Sequence, residues 1–319
     1  MKRLFYIILI ISISAPSCQF EREVETNIKP IEPHLVLNSL LFTERDSSYF
    51  YLTKSRSAFY ETDTTWWGMQ KKDFEYIGDA KFQLQVNGTT FNLKYSLKDS
   101  AYIYPAKLSS DDNIEVMVNQ KDGELKSKAI LPFPPSVLSV DTSKIHKLVN
   151  NVENDYLQFE VKIKDYPGQS NYYRLLVNMK IPYYGWVGWW NSQQYYTDDP
   201  VLKNGMPSNV DDPDFNLIRF PENYLSIFRD MLFEGDEYTL TFYIDYPYEL
   251  FSNNESGGFI LIKLQSISED LYNYYFSLQR NQYLGNEFNE PIVVFNNIEG
   301  GLGILGTCSE TTVFNFDKK

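Results

Sequence analysis

Short segments in which apolar and polar residues alternate recur along the chain, and this period of two predicts β-strands. The clearest is segment 80–86, whose even-numbered residues are Ala, Phe, Leu and Val and whose odd-numbered ones are Lys or Gln. Asn87 and Gly88 follow it and lead into segment 89–93, which predicts a hairpin whose type I′ turn has two positive φ angles. Further strands are predicted at 34–42, 48–53, 101–104, 113–118, 125–131, 156–163, 172–181, 238–245, 258–266 and 310–316.

One segment has helical rather than strand periodicity. Ser266 and Glu269 have the spacing of a capping box, in which two side chains satisfy exposed amides at the start of a helix. We therefore predict a single helix over 267–280, packed on a sheet. Its apolar stripe is formed by Leu271, Tyr274, Tyr275 and Leu278.

Three prolines, Pro132, Pro134 and Pro135, mark the strongest break in the strand pattern. Proline removes a backbone donor and ends a sheet ladder, so we place a domain boundary there. The sequence predicts a mainly β protein in two parts. The first is an immunoglobulin-like β-sandwich at 33–132, and the second is a larger β-sandwich-type domain at 136–319 that carries the helix.

The N-terminal segment has the layout of an export signal, in which a basic head and an apolar run lead through small residues to Cys18. The run is much shorter than the roughly 20 apolar residues that span a bilayer. Residues 15–18 resemble the lipobox of bacterial lipoproteins, whose cysteine takes a diacylglycerol, although the usual leucine is absent. We predict a signal peptide at 1–17, lipid on Cys18 and a flexible tether at 18–32. An ordinary signal peptide with a chance cysteine is the alternative.

Composition narrows the classes of function. The chain has 319 residues and a net charge of −13, which repels phosphates and argues against binding to nucleic acid. With lipid on Cys18, Cys308 has no partner for a disulfide. His34 and His146 are the only histidines, which leaves little for metal sites or histidine-based catalysis. We expect neither a metal nor another cofactor.

No segment carries a catalytic signature such as a nucleophile elbow, a paired-histidine metal motif or a phosphate-binding loop, so we expect no enzymatic activity. The glycines of 300–306 lack the Lys-Ser/Thr pair of a phosphate loop and favour turns with positive φ. The acidic segment 211–214, preceded by Asp198 and Asp199, lacks the spacing of an EF-hand and favours a solvated turn. A carboxylate pair for glycoside hydrolysis needs no fixed spacing, so the pattern leaves that alternative open.

The tryptophans are the strongest candidates for contacts with a ligand or partner. Trp186, Trp189 and Trp190 lie in one aromatic segment, and Trp66 and Trp67 are adjacent to each other. Aromatic rings exposed on a loop stack on sugars or anchor a protein interface, because they offer a large area at a small entropic cost. The alternative is that these rings cover the core.

Several segments carry a resemblance to a known family. Segment 264–275 contains the pattern Ser-x-Asp-x-Tyr-x-Tyr, a Glu-Pro step follows at 290–291, and 296–306 contains Asn-Ile-x-Gly-Gly-Leu-Gly. Segment 35–41 is similar to the first strand of the same family, with serine where glycine is common. On these motifs the chain resembles the DUF4249 family of Bacteroidetes lipoproteins over nearly its whole mature length.

This resemblance implies no catalytic residues, and it implies a surface lipoprotein encoded near TonB-dependent receptors. With the features above, it predicts a lipid-anchored outer-membrane protein that acts beside such a receptor as a non-catalytic accessory or ligand-capture protein. Whether the anchor faces the periplasm or the exterior stays open. The second hypothesis is a carbohydrate-binding surface module that uses the tryptophans, and the third is a glycoside hydrolase.

Overall fold

A computed structural model describes residues 32–56, 74–149, 152–181, 190–192, 195–204, 223, 225–251, 258–284 and 293–318. Most of them form strands, which confirms the mainly β prediction. The described strands of the N-terminal half are β1 (Leu35–Phe42), β2 (Ser48–Lys54), β3 (Lys81–Val86), β4 (Thr89–Ser96), β5 (Ala101–Tyr104), β6 (Asn113–Gln120) and β7 (Gly123–Ile130). Those of the C-terminal half are β8 (Ser136–Val149), β9 (Val152–Lys164), β10 (Tyr172–Ile181), β11 (Trp190–Ser192), β12 (Ile227–Arg229), β13 (Glu237–Asp245), β14 (Gly258–Ile267) and β15 (Leu302–Lys318). The described helices are α1 (Pro200–Asn204), α2 (Tyr248–Phe251) and α3 (Glu269–Leu284).

Two sheets contain these strands. The larger one has the order β11-β10-β14-β15-β1-β2-β5-β4-β3-β6-β7, with β12 paired to β10, and the smaller one has the order β13-β9-β8. The predicted Asn-Gly turn joins β3 to β4, and the φ angles of Asn87 and Gly88 are 50° and 83°, as a type I′ turn requires.

The last described strand, β15, lies inside the larger sheet, between β14 and β1. Its first half pairs in parallel with β1, and its second half pairs antiparallel with β14. The sheet curls so that its edge strand β7 returns to β15, where the Thr307 hydroxyl donates to the Ile130 carbonyl at 2.6 Å. The first and last parts of the chain therefore share one sheet.

The alternating pattern creates two main cores. The first lies among β1 to β7 and includes Leu37, Phe82 and Val116. The second lies between the smaller sheet and strands β10 and β14, and includes Phe159 and Leu264. Because side chains alternate along a strand, the polar partners of these residues face outward. A third, smaller cluster lies around α3.

The helix α3 begins later than the sequence predicts, and the capping box at Ser266 is wrong. Strand β14 continues through Ile267, so Ser266 pairs in the sheet instead of preceding the helix. Ser268 caps the helix, with its Oγ 3.4 Å from the backbone nitrogen of Leu271. The buried face also differs from the predicted stripe, since Tyr272 and Gln279 lie on it.

Positive φ angles explain two of the predicted glycine positions, and close packing explains another. Gly300 and Gly303 have φ angles of 81° and 119°, which confirms the expectation for these two residues. A Cβ atom on Gly301 would lie 2.5 Å from the carbonyl oxygen of Leu35, although its φ is not positive. The glycines thus let the start of β15 approach β1 closely.

The segment at the predicted domain boundary, 132–135, connects β7 to β8. Hydroxyl groups of β15 hold it, because Ser309 donates to the Pro132 carbonyl and Thr311 donates to the Pro135 carbonyl at 2.9 Å. The division into 33–132 and 136–319 stays a prediction. In the part of the chain that the structure describes, no helix combines the length and the apolar character needed to cross a membrane.

Candidate functional site

Charged and aromatic side chains converge at the end of the smaller sheet where β8 turns into β9. Strand β13 also ends there, since Asp245 pairs with Tyr156. The short helix α2 follows β13 directly and places the ring of Tyr248, which is 51% exposed, beside the hairpin. We name this group the lysine–tyrosine cluster, and it consists of Lys144, His146, Lys147, Asp155, Asp198, Tyr243, Tyr246 and Tyr248.

Asp155 is the central acceptor of the cluster. It lies directly opposite His146 in the β8–β9 ladder, and its Oδ1 lies 2.7 Å from His146 Nδ1. Its Oδ2 lies 2.7 Å from Lys144 Nζ and also accepts a hydrogen bond from the Tyr248 hydroxyl. Lys144 Nζ donates to that same hydroxyl at 3.1 Å. One carboxylate thus joins groups from β8 and α2 to β9.

Both lysines of the cluster lie over tyrosine rings. Lys144 Nζ is 4.5 Å from the ring centre of Tyr246 and 4.8 Å from that of Tyr248. Lys147 Nζ is 4.7 Å from the ring centre of Tyr243 and forms an ion pair with Asp198. Such cation–π contacts are each worth about 0.5–1 kcal/mol at exposed sites. The rings therefore restrict where the ammonium groups can lie.

These contacts favour the charged form of each ionisable group. The hydrogen bond from Lys144, followed by those from Tyr248 and His146, holds the pKa of Asp155 below its ordinary value. The hydrogen bonds to Asp155 and then to Tyr248 raise the pKa of Lys144 above its ordinary value. The hydrogen bond to Asp155 likewise raises the pKa of His146. At neutral pH, Lys144 and Asp155 are thus a fixed ion pair.

A layer of packed tyrosines supports the cluster. Tyr196 and Tyr243 exchange two backbone hydrogen bonds of 2.8 and 2.9 Å, and their ring centres are 5.8 Å apart. The ring centre of Tyr156 lies 5.5 Å from that of Tyr196 and 5.3 Å from that of Tyr243. These contacts fix the chain that follows β11 against β13.

The same layer extends to the larger sheet. The ring centre of Tyr246 lies 5.5 Å from that of Phe251, which in turn lies 5.3 Å from that of Phe316 on β15. Phe316 pairs with Ile260 near the start of β14. Strands of both sheets therefore end at this aromatic layer. The packed rings give the lysine–tyrosine cluster a rigid base.

Most of the predicted site residues fall outside the described part of the chain. Cys18, Trp66, Trp67, Trp186 and Trp189 are among them. The remaining one, Trp190, is the first residue of β11, where its backbone pairs with Ile181 at the end of β10. The structure thus places the end of the aromatic segment on the edge of the larger sheet.

The acidic residues considered as metal ligands have other roles where they are described. Asp199 is buried, and its carboxylate accepts hydrogen bonds of 2.9 Å from the Val201 and Thr241 amides and from the Tyr238 hydroxyl. It therefore begins α1 and ties it to β13. Segment 211–214 lies outside the described residues. Among the residues that are described, no group of three or more His, Cys, Asp or Glu could hold a metal ion.

The sequence pattern did not reveal the lysine–tyrosine cluster. Strand β8 is largely exposed and is not among the strands that the sequence predicts. The sequence pattern therefore assigns Lys144 and Lys147 to no element. One signal was present, since β-branched residues recur along β8 and two asparagines, Asn150 and Asn151, separate it from β9. That signal predicts a hairpin, but the contact with Tyr248 depends on residues distant in sequence.

The fold and this site define a mainly β protein with a rigid surface of paired charges and tyrosine rings. The chain belongs to the DUF4249 family, whose model, described as "Domain of unknown function (DUF4249)", matches residues 21–313. Neither a curated protein nor a solved structure matches the chain.

Proposed function

We propose that this chain is an outer-membrane lipoprotein, anchored through lipid on Cys18, that acts beside a TonB-dependent receptor as a non-catalytic accessory or ligand-capture protein. The lipobox-like residues 15–18 and the polar tether after them support the anchor. The observation that carries the binding role is the lysine–tyrosine cluster. It offers exposed tyrosine rings, a residue type enriched in contact surfaces of protein complexes, beside paired charges that can orient a partner.

The ionisation of Lys144 and Asp155 favours a binding role over a catalytic role for these two groups. A general acid or base works best when its pKa lies near the operating pH. In the Lys144–Asp155 pair the two pKa values move apart, so neither group exchanges a proton readily at neutral pH. The same fixed charges orient a partner of complementary charge.

Purification of the tagged full-length chain from detergent-solubilised outer membranes tests the docking role. We expect a TonB-dependent receptor to co-purify with the native chain. A chain with both Lys144→Ala and Tyr248→Ala should lose it, because these changes remove the exposed ring and one charge. The matched control is Tyr51→Ala, which removes another tyrosine, 38% exposed, on β2. Consistent recovery of the intact lipoprotein without a receptor would argue against docking.

Carbohydrate binding by the tryptophans is the second candidate. Trp190 begins β11, and six residues later Tyr196 pairs with Tyr243 of the cluster, so the aromatic segment leads directly into this surface. Rings beside charged hydrogen-bonding groups suit sugar stacking. Titration of tryptophan fluorescence with a panel of polysaccharides tests this role, and the absence of any response would exclude it.

A further inference from the structure

A concave surface lies in the N-terminal half, on the outward face of β4, β3, β6 and β7. It encloses about 360 Å³, within the range of small-ligand sites. The inward residues of β3 and β6, such as Leu84 and Val116, belong to the core. The outward residues that line the cleft are polar, with the exception of Met117, which is 39% exposed.

The strand register arranges the outward side chains of the four strands in two parallel rows. One row crosses the four strands as Thr90, Gln85, Glu115 and Lys128. The other crosses them as Asn92, Gln83, Met117 and Lys126. With strands about 4.8 Å apart, each row extends roughly 14 Å, which is longer than one sugar ring.

The segment before β15 forms one wall of the cleft. Glu299 exchanges two backbone hydrogen bonds with Lys126 on β7, of 3.1 and 2.8 Å. The Ser127 hydroxyl donates to the Asn297 carbonyl at 2.9 Å. The edge of β7 is thus occupied at this point, so a ligand in the cleft meets side chains rather than an open strand edge.

The charges that line the cleft balance. Two lysines, Lys126 and Lys128, lie with two glutamates, Glu115 and Glu299, and Lys128 Nζ is 2.9 Å from Glu115 Oε1. Although the chain has a net charge of −13, the lining of the cleft has no net charge with which to hold an ion. The charge pattern therefore favours an uncharged ligand.

The amide side chains can both donate and accept hydrogen bonds. Gln83 Nε2 donates to Asn92 Oδ1 at 3.2 Å, and Gln85 Nε2 donates to the Gly88 carbonyl at 3.1 Å. Among the described residues, neither Oε1 atom accepts a hydrogen bond, so both are available to a ligand hydroxyl. Met117 adds an apolar contact for the C–H face of a ring.

We propose that this cleft binds a neutral oligosaccharide. A neutral sugar chain supplies hydroxyl groups to both rows of side chains, and it is long enough to cross the four strands. Its lack of charge suits a cleft lining that has no net charge. The inference is independent of lipid anchoring and receptor docking, because the cleft and the lysine–tyrosine cluster share no residue.

Calorimetric titration of the detergent-purified full-length chain tests the proposal. The neutral probes are maltohexaose, cellohexaose, xylohexaose and mannohexaose, and hexagalacturonate is the charged comparator. We expect one of the neutral probes to bind. The double variant Gln83→Ala with Gln85→Ala should weaken binding about tenfold or more. Met117→Lys, at an exposed position, should block the floor without affecting the fold.

Two variants serve as controls. Gln158→Ala removes a half-buried glutamine of β9 that is bonded to Glu160, and Tyr248→Ala changes the lysine–tyrosine cluster. Both should bind the sugar as the native chain does. The proposal would be overturned if none of the four neutral probes binds or if hexagalacturonate binds more tightly than they do. Unchanged affinity for the sugar in both cleft variants would also overturn it. Loss of binding in Tyr248→Ala alone would assign the sugar to the other site and overturn it as well.

Discussion

A Cβ atom on Gly303 would lie 2.0 Å from the carbonyl oxygen of Leu37, its register partner on β1. That distance is far inside van der Waals contact, and the φ of Gly303 is 119°, which L side chains rarely adopt. The parallel pairing of the first and last strands therefore depends on a residue without a side chain. The glycines at 300, 301 and 303, which belong to the family motif, thus allow close backbone packing at the start of β15.

We expect Gly303→Ala to destabilise the protein by about 3 kcal/mol, through backbone strain and the contact with Leu37. The control is Gly88→Ala in the β3–β4 turn, where φ is 83° but no atom lies within 4 Å of the added Cβ. It should cost about 1 kcal/mol, for the positive φ alone. Urea unfolding measures both, and equal losses would contradict the role of close packing.

The side-chain amide of Asn297 joins the segment before β15 to two elements, α3 and β15. Its Nδ2 donates to Asp270 Oδ2 on α3 at 2.8 Å and to the Leu305 carbonyl at 3.0 Å, and its Oδ1 accepts from the Leu305 amide at 2.9 Å. Asn297→Ala removes these bonds and should cost about 2–4 kcal/mol in urea unfolding. Asn92→Ala, which removes one exposed bond, should change stability by less than about 0.5 kcal/mol. Similar losses in the two variants would refute the joining role.

Tyr173 donates a hydrogen bond of 2.6 Å to Asp165 inside the C-terminal core. Tyr173→Phe leaves a buried carboxylate oxygen without this donor, so we expect a loss of about 1–3 kcal/mol in thermal or urea unfolding. The matched variant Tyr166→Phe removes an exposed bond to the Pro134 carbonyl and should be nearly neutral. A neutral Tyr173→Phe would indicate that Asp165 finds another donor.

The pKa of His146 should lie above the ordinary value of about 6.5, because the Asp155 carboxylate favours the imidazolium form. NMR titration of a His34→Gln background observes this histidine alone. Asp155→Asn should lower the measured pKa. The His146–Asp155 contact contributes stability below a pH of about 6.5. That contribution is lost as the pH rises through the raised pKa of His146 in the folded protein. An unchanged pKa in Asp155→Asn would show that the contact does not persist in solution.

Cys308 is buried, and burial raises the pKa of its thiol, so it should not react with a soluble disulfide reagent in the native protein. In denaturant, the full chain has two cysteines, and lipid on Cys18 would leave one reactive thiol per chain. Two thiols in membrane-purified material would contradict lipidation. A Cys18→Ala chain provides the one-thiol standard.

Local patterning predicted most of the strands, and it did so most directly for β3 and β10, whose alternating apolar residues are buried. It did not reveal that β15 extends from Leu302 to Lys318, since only 310–316 alternates clearly. The first half of β15 pairs with β1, contacts β7 through Thr307, and has glycines at 303 and 306 where an alternating pattern would need side chains. That arrangement follows from non-local pairing and leaves no period in the sequence.

The candidate sites likewise depend partly on local patterns and partly on contacts between residues distant in sequence. The tryptophan pattern drew attention to the aromatic segment, and Trp190 does lead toward the lysine–tyrosine cluster. The cluster itself required Lys144, Asp155 and Tyr248 to meet from three elements. Glutamines in alternating strands such as Gln83 and Gln85 are ordinary surface residues by pattern, and only the register places them in a shared cleft.

The position of β15 between β14 and β1 also determines when the larger sheet can be completed. Among the described strands β1 is synthesised first and its parallel partner β15 last, so one edge of β1 stays unpaired until all the other described strands have been made. Such distant pairing slows folding and leaves an aggregation-prone strand edge in the meantime. If the chain is exported as proposed, its larger sheet cannot be completed until β15 has crossed the membrane.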